Sequence, residues 1–275
     1  MTLTEPRNAG GLALLSFDSL DQVHHAISSR HGGVSPDPYR SLNMGYATDD
    51  RLENVVENRS RLARAVGAPA DAIVSGRLSH ASEVAVFAGS RGSRPDVPFQ
   101  PRRGAARVER GFEADAVVSD VPGLYFLLTF ADCVPLVFFD PERHVVGAAH
   151  AGWRGTSLAI AVAVVRTMRD VFGSRPESMR VAIGPSIGPC CYTVTQDVLE
   201  TFASRGVEPV VTRNHAVRLD LWKTNQRQLR DAGIPAASIE NPRICTSCNV
   251  DSYFSHRAEN GMTGRFALCA CLAPA

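Results

Sequence analysis

A chain of 275 residues that is 44% hydrophobic and 21% charged can bury a substantial core, as one large domain or two small ones, and we expect one spanning 1–275. The 29 basic and 28 acidic residues leave a formal net charge of +1, so no broad field favours a nucleic acid or an anionic membrane, and a small-molecule partner is expected. Residues 1–6 lack a basic segment leading into an apolar one, and no later run approaches bilayer-spanning length, which predicts a cytoplasmic protein.

From Leu14 to Ser29 a strand-like stretch leads into two turn-rich segments, 30–35 and 39–45, of the kind that carries binding residues. Apolar positions 52, 55, 56, 62 and 66 predict an amphipathic helix over Leu52 to Val66, ended by Gly67, with its charges on a solvated face. Residues 88–111, rich in glycine, proline and arginine, read as a flexible insertion. Strands are predicted at 114–119 and 124–130. Two more, Val134 to Phe139 and Val145 to Ala149, are joined by a turn at 140–143, which brings Cys133 and His150 to neighbouring strand ends.

Gly152 and Gly155 then form a turn, and apolar residues at 158, 161, 162, 165 and 168 predict a helix from Thr156 to Val171 with Thr156 or Ser157 as N-cap. Strand, turn and helix make an anion-ready corner beside Arg154. A strand at 180–183 runs into the irregular 184–189 segment, and helices are predicted over 195–204 and 219–232, the latter stopped by Gly233. Strand-like 251–255 and 266–272 follow, and repeats and heptads are lacking.

Three readings of Cys133 and His150 stand side by side. With His80 they supply one thiolate and two imidazoles, a donor set that suits zinc and leaves a fourth position open for water or substrate. Alternatively Cys133 is a nucleophile with His150 as base and Asp132 or another carboxylate as orienter. The third reading has Cys133 as a small buried hydrophobe and both histidines as satisfied polar groups.

The 7 cysteines include the adjacent Cys190 and Cys191, which argues for reduced thiols or metal ligands rather than disulfides. Cys245 and Cys248 with Cys269 and Cys271 outline a four-cysteine zinc site, but the second pair is Cys-x-Cys on a strand, so core thiols are the favoured reading. Arg30, Arg154, Arg257 and Arg265 sit among glycine, serine or asparagine, where a guanidinium can grip phosphate or ribose; a surface ion pair is the alternative.

Taken together, Arg30-His31-Gly32-Gly33-Val34-Ser35, Ser41-Leu42-Asn43-Met44-Gly45, Ala131-Asp132-Cys133-Val134-Pro135, 149–155, 183–192, Phe254-Ser255-His256-Arg257 and Thr263-Gly264-Arg265 resemble the YfiH or laccase-domain family. That family is regarded as purine nucleoside phosphorylases with adenosine deaminase and methylthioadenosine phosphorylase activity, and was formerly called multicopper polyphenol oxidases. The resemblance implies an α+β fold, a core of mixed β-sheets flanked by helices, and a zinc held by His80, Cys133 and His150. It further implies phosphorolysis of a purine nucleoside such as adenosine, inosine, guanosine or methylthioadenosine, with Arg154 on phosphate, Arg30, Asn43 and Arg265 around sugar or base, and Arg257 a further substrate contact.

The chain departs from the family's Gln-Val-His-Gly at Leu78-Ser79-His80-Ala81, and Ala47-Thr48-Asp49-Asp50 replaces its Val-Gly-Asp-Asp. A multicopper oxidase needs about ten imidazoles, whereas this chain has 8 histidines and no His-x-His pair, so laccase chemistry ranks low, although a Cys/His site can take up adventitious copper. The runner-up is a Cys133–His150 hydrolase or amidase acting on a peptidoglycan precursor, since some members are described as peptidoglycan editing factors. A non-enzymatic metal-dependent interaction module comes third.

Overall fold

Strands that are apolar at successive residues must be covered on both faces. The computed structural model, which describes residues 7–9, 11–69, 72–78, 82–89, 110–214 and 216–273, meets that demand with two stacked sheets and helices outside each. The chain enters through β1 (Arg7–Ala9), β2 (Leu12–Leu15) and β3 (Val23–Ser28), crosses α1 (Leu52–Val66), and continues through β4 (Ile73–Arg77), β5 (Val84–Phe87), β6 (Arg110–Glu113), β7 (Ala116–Ser119) and β8 (Tyr125–Phe130). Next come β9 (Val134–Asp140), β10 (Val145–Ala151), α2 (Trp153–Ser157), α3 (Ile160–Phe172), β11 (Arg180–Ile183) and α4 (Gln196–Ser204). A β12 (Val211–Asn214) and β13 (Ala216–Leu219) pair, α5 (Leu221–Asp231), β14 (Ile239–Glu240) and β15 (Phe266–Leu272) complete it.

One sheet has seven strands in the order β1-β2-β3-β15-β8-β4-β6, the other six in the order β14-β11-β9-β10-β7-β5. Both are mixed: β4 runs parallel to β6 and β8, and β5 to β7, while β9, β10 and β11 pair antiparallel. Side-chain alternation divides the core into three layers. Phe126, Leu128 and Phe130 of β8 meet Val137 and Phe139 of β9 and Val146 and Ala148 of β10 between the sheets. Leu136, Phe138 and Ala149 turn outward onto Ile160, Val164 and Met168 of α3 and Leu229 of α5. Tyr125, Leu127 and Ala267 pack on Leu62 of α1. Each fully buried phenylalanine here contributes about 1.5–3 kcal/mol, and these mixed sheets flanked by helices are the α+β architecture expected.

Helix α1 runs over the predicted residues and ends at Gly67, whose φ of 70° lets its N–H cap the last turn. Its polar residues do not all face solvent: Asn58 and Arg59 are buried, with Arg59 donating to Met44 O at 2.8 Å and Ser75 Oγ at 2.8 Å. The helix expected from Thr156 is two helices. Gly152 starts α2 without a side-chain cap, Ala159 at φ 55° breaks the path, and α3 begins at Ile160. Thr156 and Ser157 therefore lie inside α2, where the Ser157 hydroxyl donates back to Arg154 O at 2.8 Å. The stretch 14–29 is two strands split at 18–20, and 251–255 forms turns instead of a strand. Nearly all of 88–111, namely 90–109, lies outside the described residues.

Candidate active site

Cys133 immediately precedes β9 and His150 is the penultimate residue of β10, and the register His150↔Pro135 sets them side by side. His150 lies on the β10 face that carries Val146 and Ala148, so its ring enters the end of the inter-sheet layer and lies 5.4 Å from that of Phe130. Gly152 makes the close approach possible: a Cβ there would lie 2.8 Å from Cys133 Sγ and 3.8 Å from His150 Cε1. Asp115, just before β7, is fully buried, accepts the His150 backbone N–H through its carbonyl at 2.8 Å, and places its Oδ1 3.1 Å from His150 Nδ1. Burial alone would lower the His150 pKa, but the negative charge of a Cys133 thiolate and the Asp115 hydrogen bond outweigh it and push the imidazole up to about 9. His80 lies outside the described residues, and so does its predicted role as third metal ligand.

A cavity of about 970 Å³ opens over this pair, walled by β4, β6 and the end of β8 on one side and by Cys133, His150 and α2 on the other. Arg154, Arg257 and Arg265 line it with them. Arg154 is exposed, stacks over the Trp153 ring at 4.4 Å, and makes no side-chain hydrogen bond among the described residues. Arg257 stacks over Tyr192 at 5.0 Å and donates to Thr193 O at 2.8 Å, leaving most of its fork toward the cavity. Arg265 donates to Thr263 O and Gly264 O at 2.8 Å each, and burial pulls its pKa below the ordinary arginine value despite the nearby Cys133 and Asp132 charges.

Arg30 and Asn43 stand behind this wall. Arg30 donates to Arg40 O at 3.0 Å and Val250 O at 2.6 Å, and pairs with Glu259 at 3.0 Å. Buried Asn43 accepts the Gly45 and Arg265 N–H groups at 3.0 and 2.9 Å and donates to Thr48 and Asp50, so it fixes the strand entry that carries Arg265. Of the two expected candidates for orienter of a Cys–His pair, Asp132 or another carboxylate, it is another carboxylate, Asp115, that lies against His150. Asp132 adopts φ 82°, a conformation unfavourable for a side chain bearing a Cβ, and its carboxylate accepts from Thr246 Oγ1 and the Arg257 N–H at 2.6 Å each.

Asp115 and Tyr192 are the site residues that sequence reasoning passed over. Burial, then the Cys133 charge, raises the Tyr192 pKa far above the usual phenol value, so it faces the cavity as a neutral donor. A buried carboxylate beside a strand that pairs with the His150 strand was the one signal available for Asp115.

The second cysteine group is not the one outlined by spacing. Cys269 and Cys271 point from β15 into the α1-side core with Leu12 and Tyr125. Cys245 and Cys248 instead join Cys190 and Cys191, with all four sulfur atoms within 4.8 Å of one another, a group able to hold a metal ion.

The family model described as multi-copper polyphenol oxidoreductase laccase matches residues 24–273, and the chain belongs to that family. It is 37% identical over 244 residues to the purine nucleoside phosphorylase YlmD of Geobacillus stearothermophilus, covering 87% of this chain and 86% of that one. The crystal structure of the same YlmD superposes with a TM-score of 0.86 at 32% identity, over 99% of this chain and 100% of that one. A purine nucleoside phosphorylase of Deinococcus radiodurans is 37% identical over 94% of this chain and 92% of its own. The adenosine deaminase RL5, of an unknown prokaryotic organism, is 35% identical over 92% and 96%. Among the described residues no helix is long and apolar enough to cross a membrane.

Proposed function

We propose that this member of the laccase family is a purine nucleoside phosphorylase. Inorganic phosphate attacks C1′ of the ribose, the C1′–N9 bond breaks with its electron pair leaving on the purine, and the base takes up a proton. The observation that carries this reading is the meeting, in one cavity, of the Cys133–His150 pair with Arg154, a guanidinium that has no acceptor of its own among the described residues. An unspent planar fork over a cavity is suited to bidentate capture of phosphate. The five-residue α2 contributes a weak dipole, so the cation and not the helix end supplies most of the attraction. Arg257 and Arg265 face the sugar and base, and Trp153 and Tyr192 offer apolar faces with polar edges to a purine. Asn43 and Arg30 act at one remove by holding these segments.

The donor chemistry of Cys133 and His150 fits zinc, with His80 as the proposed third ligand: Nδ1 of His150 is committed to Asp115, the orientation a carboxylate imposes on a metal-binding imidazole. Bound there, zinc would supply Lewis acidity toward a substrate oxygen or water. Copper can occupy the same donors. Seven cysteines, none of them in a disulfide, accord with a reducing cytoplasm, and we read 1–275 as one domain with 88–111 inserted.

Incubation of the purified protein with adenosine tests the proposal. Adenine and ribose 1-phosphate are expected only when phosphate is present, and inosine is the expected product of a deaminase side activity. Absence of base release, or release unchanged in Cys133→Ala, overturns it.

One observation favours a second reading: Cys133, His150 and Asp115 form a nucleophile–base–orienter series, with the His150 Nδ1 held by the Asp115 carboxylate at 3.1 Å. A hydrolase or amidase of that kind, acting on a peptidoglycan precursor, would work without phosphate and without metal.

A further inference from the structure

Two loops far apart in sequence meet on the flank of the active-site cavity. The first, 184–193, links β11 to α4, and the second, 244–248, follows β14. Ser186 N–H donates to Ile244 O at 3.1 Å, Thr246 N–H donates to Ser186 O at 3.1 Å, and Ser186 and Cys245 form an isolated parallel bridge. Each loop delivers two thiols to the same spot. Cys248 Sγ lies 3.5 Å from Cys190 Sγ and 3.4 Å from Cys191 Sγ, and the four sulfurs, Cys245 included, all lie within 4.8 Å of one another.

We propose that Cys190, Cys191, Cys245 and Cys248 form a closed tetrathiolate site for zinc, separate from the Cys133–His150 centre, that fastens these two loops. Four sulfurs about 2.3 Å from one zinc ion stand about 3.8 Å apart, and the group already occupies that span. A disulfide would join one pair and strand the other two thiols, whereas Cys248 is almost equally distant from both vicinal cysteines. Buried Cys245 accepts the Gly188 N–H at its sulfur at 3.2 Å, the kind of bond that steadies a ligating thiolate. Binding of a divalent ion by four thiolates releases their protons and leaves a centre of net negative charge. Arg218, donating to Cys190 O at 2.6 Å, brings a guanidinium close to the resulting anionic centre.

With four protein ligands the site keeps no position for substrate, so its part is structural. The clipped loops carry Tyr192 into the cavity, and both reach Asp132: the Thr246 hydroxyl donates to its carboxylate at 2.6 Å and the Ile187 N–H to its carbonyl at 2.9 Å. Loss of the metal loosens the frame around Asp132 and Arg257 without touching the phosphate fork of Arg154.

The test uses the full chain grown with zinc or cobalt(II) and purified under reducing conditions. Native mass spectrometry should find a bound zinc that persists in Cys133→Ala and is lost in Cys190→Ser/Cys248→Ser. The cobalt form of Cys133→Ala should keep the intense thiolate-to-cobalt charge-transfer bands of four sulfur ligands, so this outcome is independent of the phosphorylase reading. On the wild-type chain, Cys190, Cys191 and Cys248 should resist alkylation until a chelator is added, a readout that survives if the double variant fails to fold. Equal alkylation with and without chelator, metal content unchanged by the double substitution, or an intact mass two hydrogens lower from a disulfide among these residues would each overturn the proposal.

Discussion

Arg30 and Arg154 are both drawn toward glycine-rich turns at strand ends, yet the molecule spends them in opposite ways. Arg30 satisfies two backbone carbonyls and Glu259 and stacks over Phe254 at 4.5 Å, so its fork is consumed in joining the first loops to the 250–259 segment. Arg154 rests on Trp153 over the cavity with its donors uncommitted among the described residues. A guanidinium binds a substrate phosphate only if the protein has not already used its hydrogens, and residue type and glycine context cannot report that difference.

Exchanging each arginine for alanine is the sharpest way to break the contrast. Arg154→Ala should lower kcat/KM for phosphate by roughly 10²–10³-fold, since it removes a cation facing developing charge, while the thermal midpoint stays put because the side chain is exposed. Arg30→Ala should do the reverse, costing about 2–3 kcal/mol in urea unfolding through its lost ion pair and carbonyl contacts. Activity measured well below the unfolding midpoint should change only a few-fold. If Arg30→Ala abolishes turnover in folded protein, the division between spent and available forks is wrong.

Carboxylates divide in a similar way. Asp115 is committed to His150, so Asp115→Asn should reduce metal affinity or turnover by roughly 10–100-fold; a calorimetric metal titration beside the assay separates the two. Asp50 belongs to the frame. Partial burial would raise its pKa, but hydrogen bonds from Ser35, Asn43, Asn54 and the Arg51 N–H hold it below the ordinary value of 3.8. Its contribution is therefore complete above that value and fades as the pH falls through the depressed one. Asp50→Asn should cost about 1–2 kcal/mol at neutral pH, and the gap from wild type should close in acid, which denaturant titrations from pH 7 down to pH 3 would measure.

What the sequence made legible follows from periodicity. Helix α1 and strands β9 and β10 stand where apolar spacing put them, because each buries a continuous face and ends on turn residues. The beginning of α2 was hidden because Gly152 starts it with no capping side chain, and the break at Ala159 comes from a left-handed residue that no local pattern announces. The Cys133–His150 meeting was legible because both flank one antiparallel pair. The partners of Cys245 and Cys248 were not, since proximity to Cys190 and Cys191 is created by tertiary packing of loops, and the nearer-looking Cys269 and Cys271 belong to a strand facing α1. Asp115 needed the β7–β10 register, with Ala149 opposite Ala116, before it could be paired with His150.

That register also guards against counterfeits of the enzyme. A slip of β10 by one residue would exchange its two faces, carrying His150 into the layer filled by Ile160 and Val164 and leaving Ala149 or Ala151 at the mouth of the cavity. Such a chain would bury an imidazole away from Asp115 and misplace the small residues on which α3 packs. The same alanines that allow the helix to lie close to the sheet therefore proofread the chemistry: a molecule folded well enough to persist has, by that fact, its histidine on the reactive side.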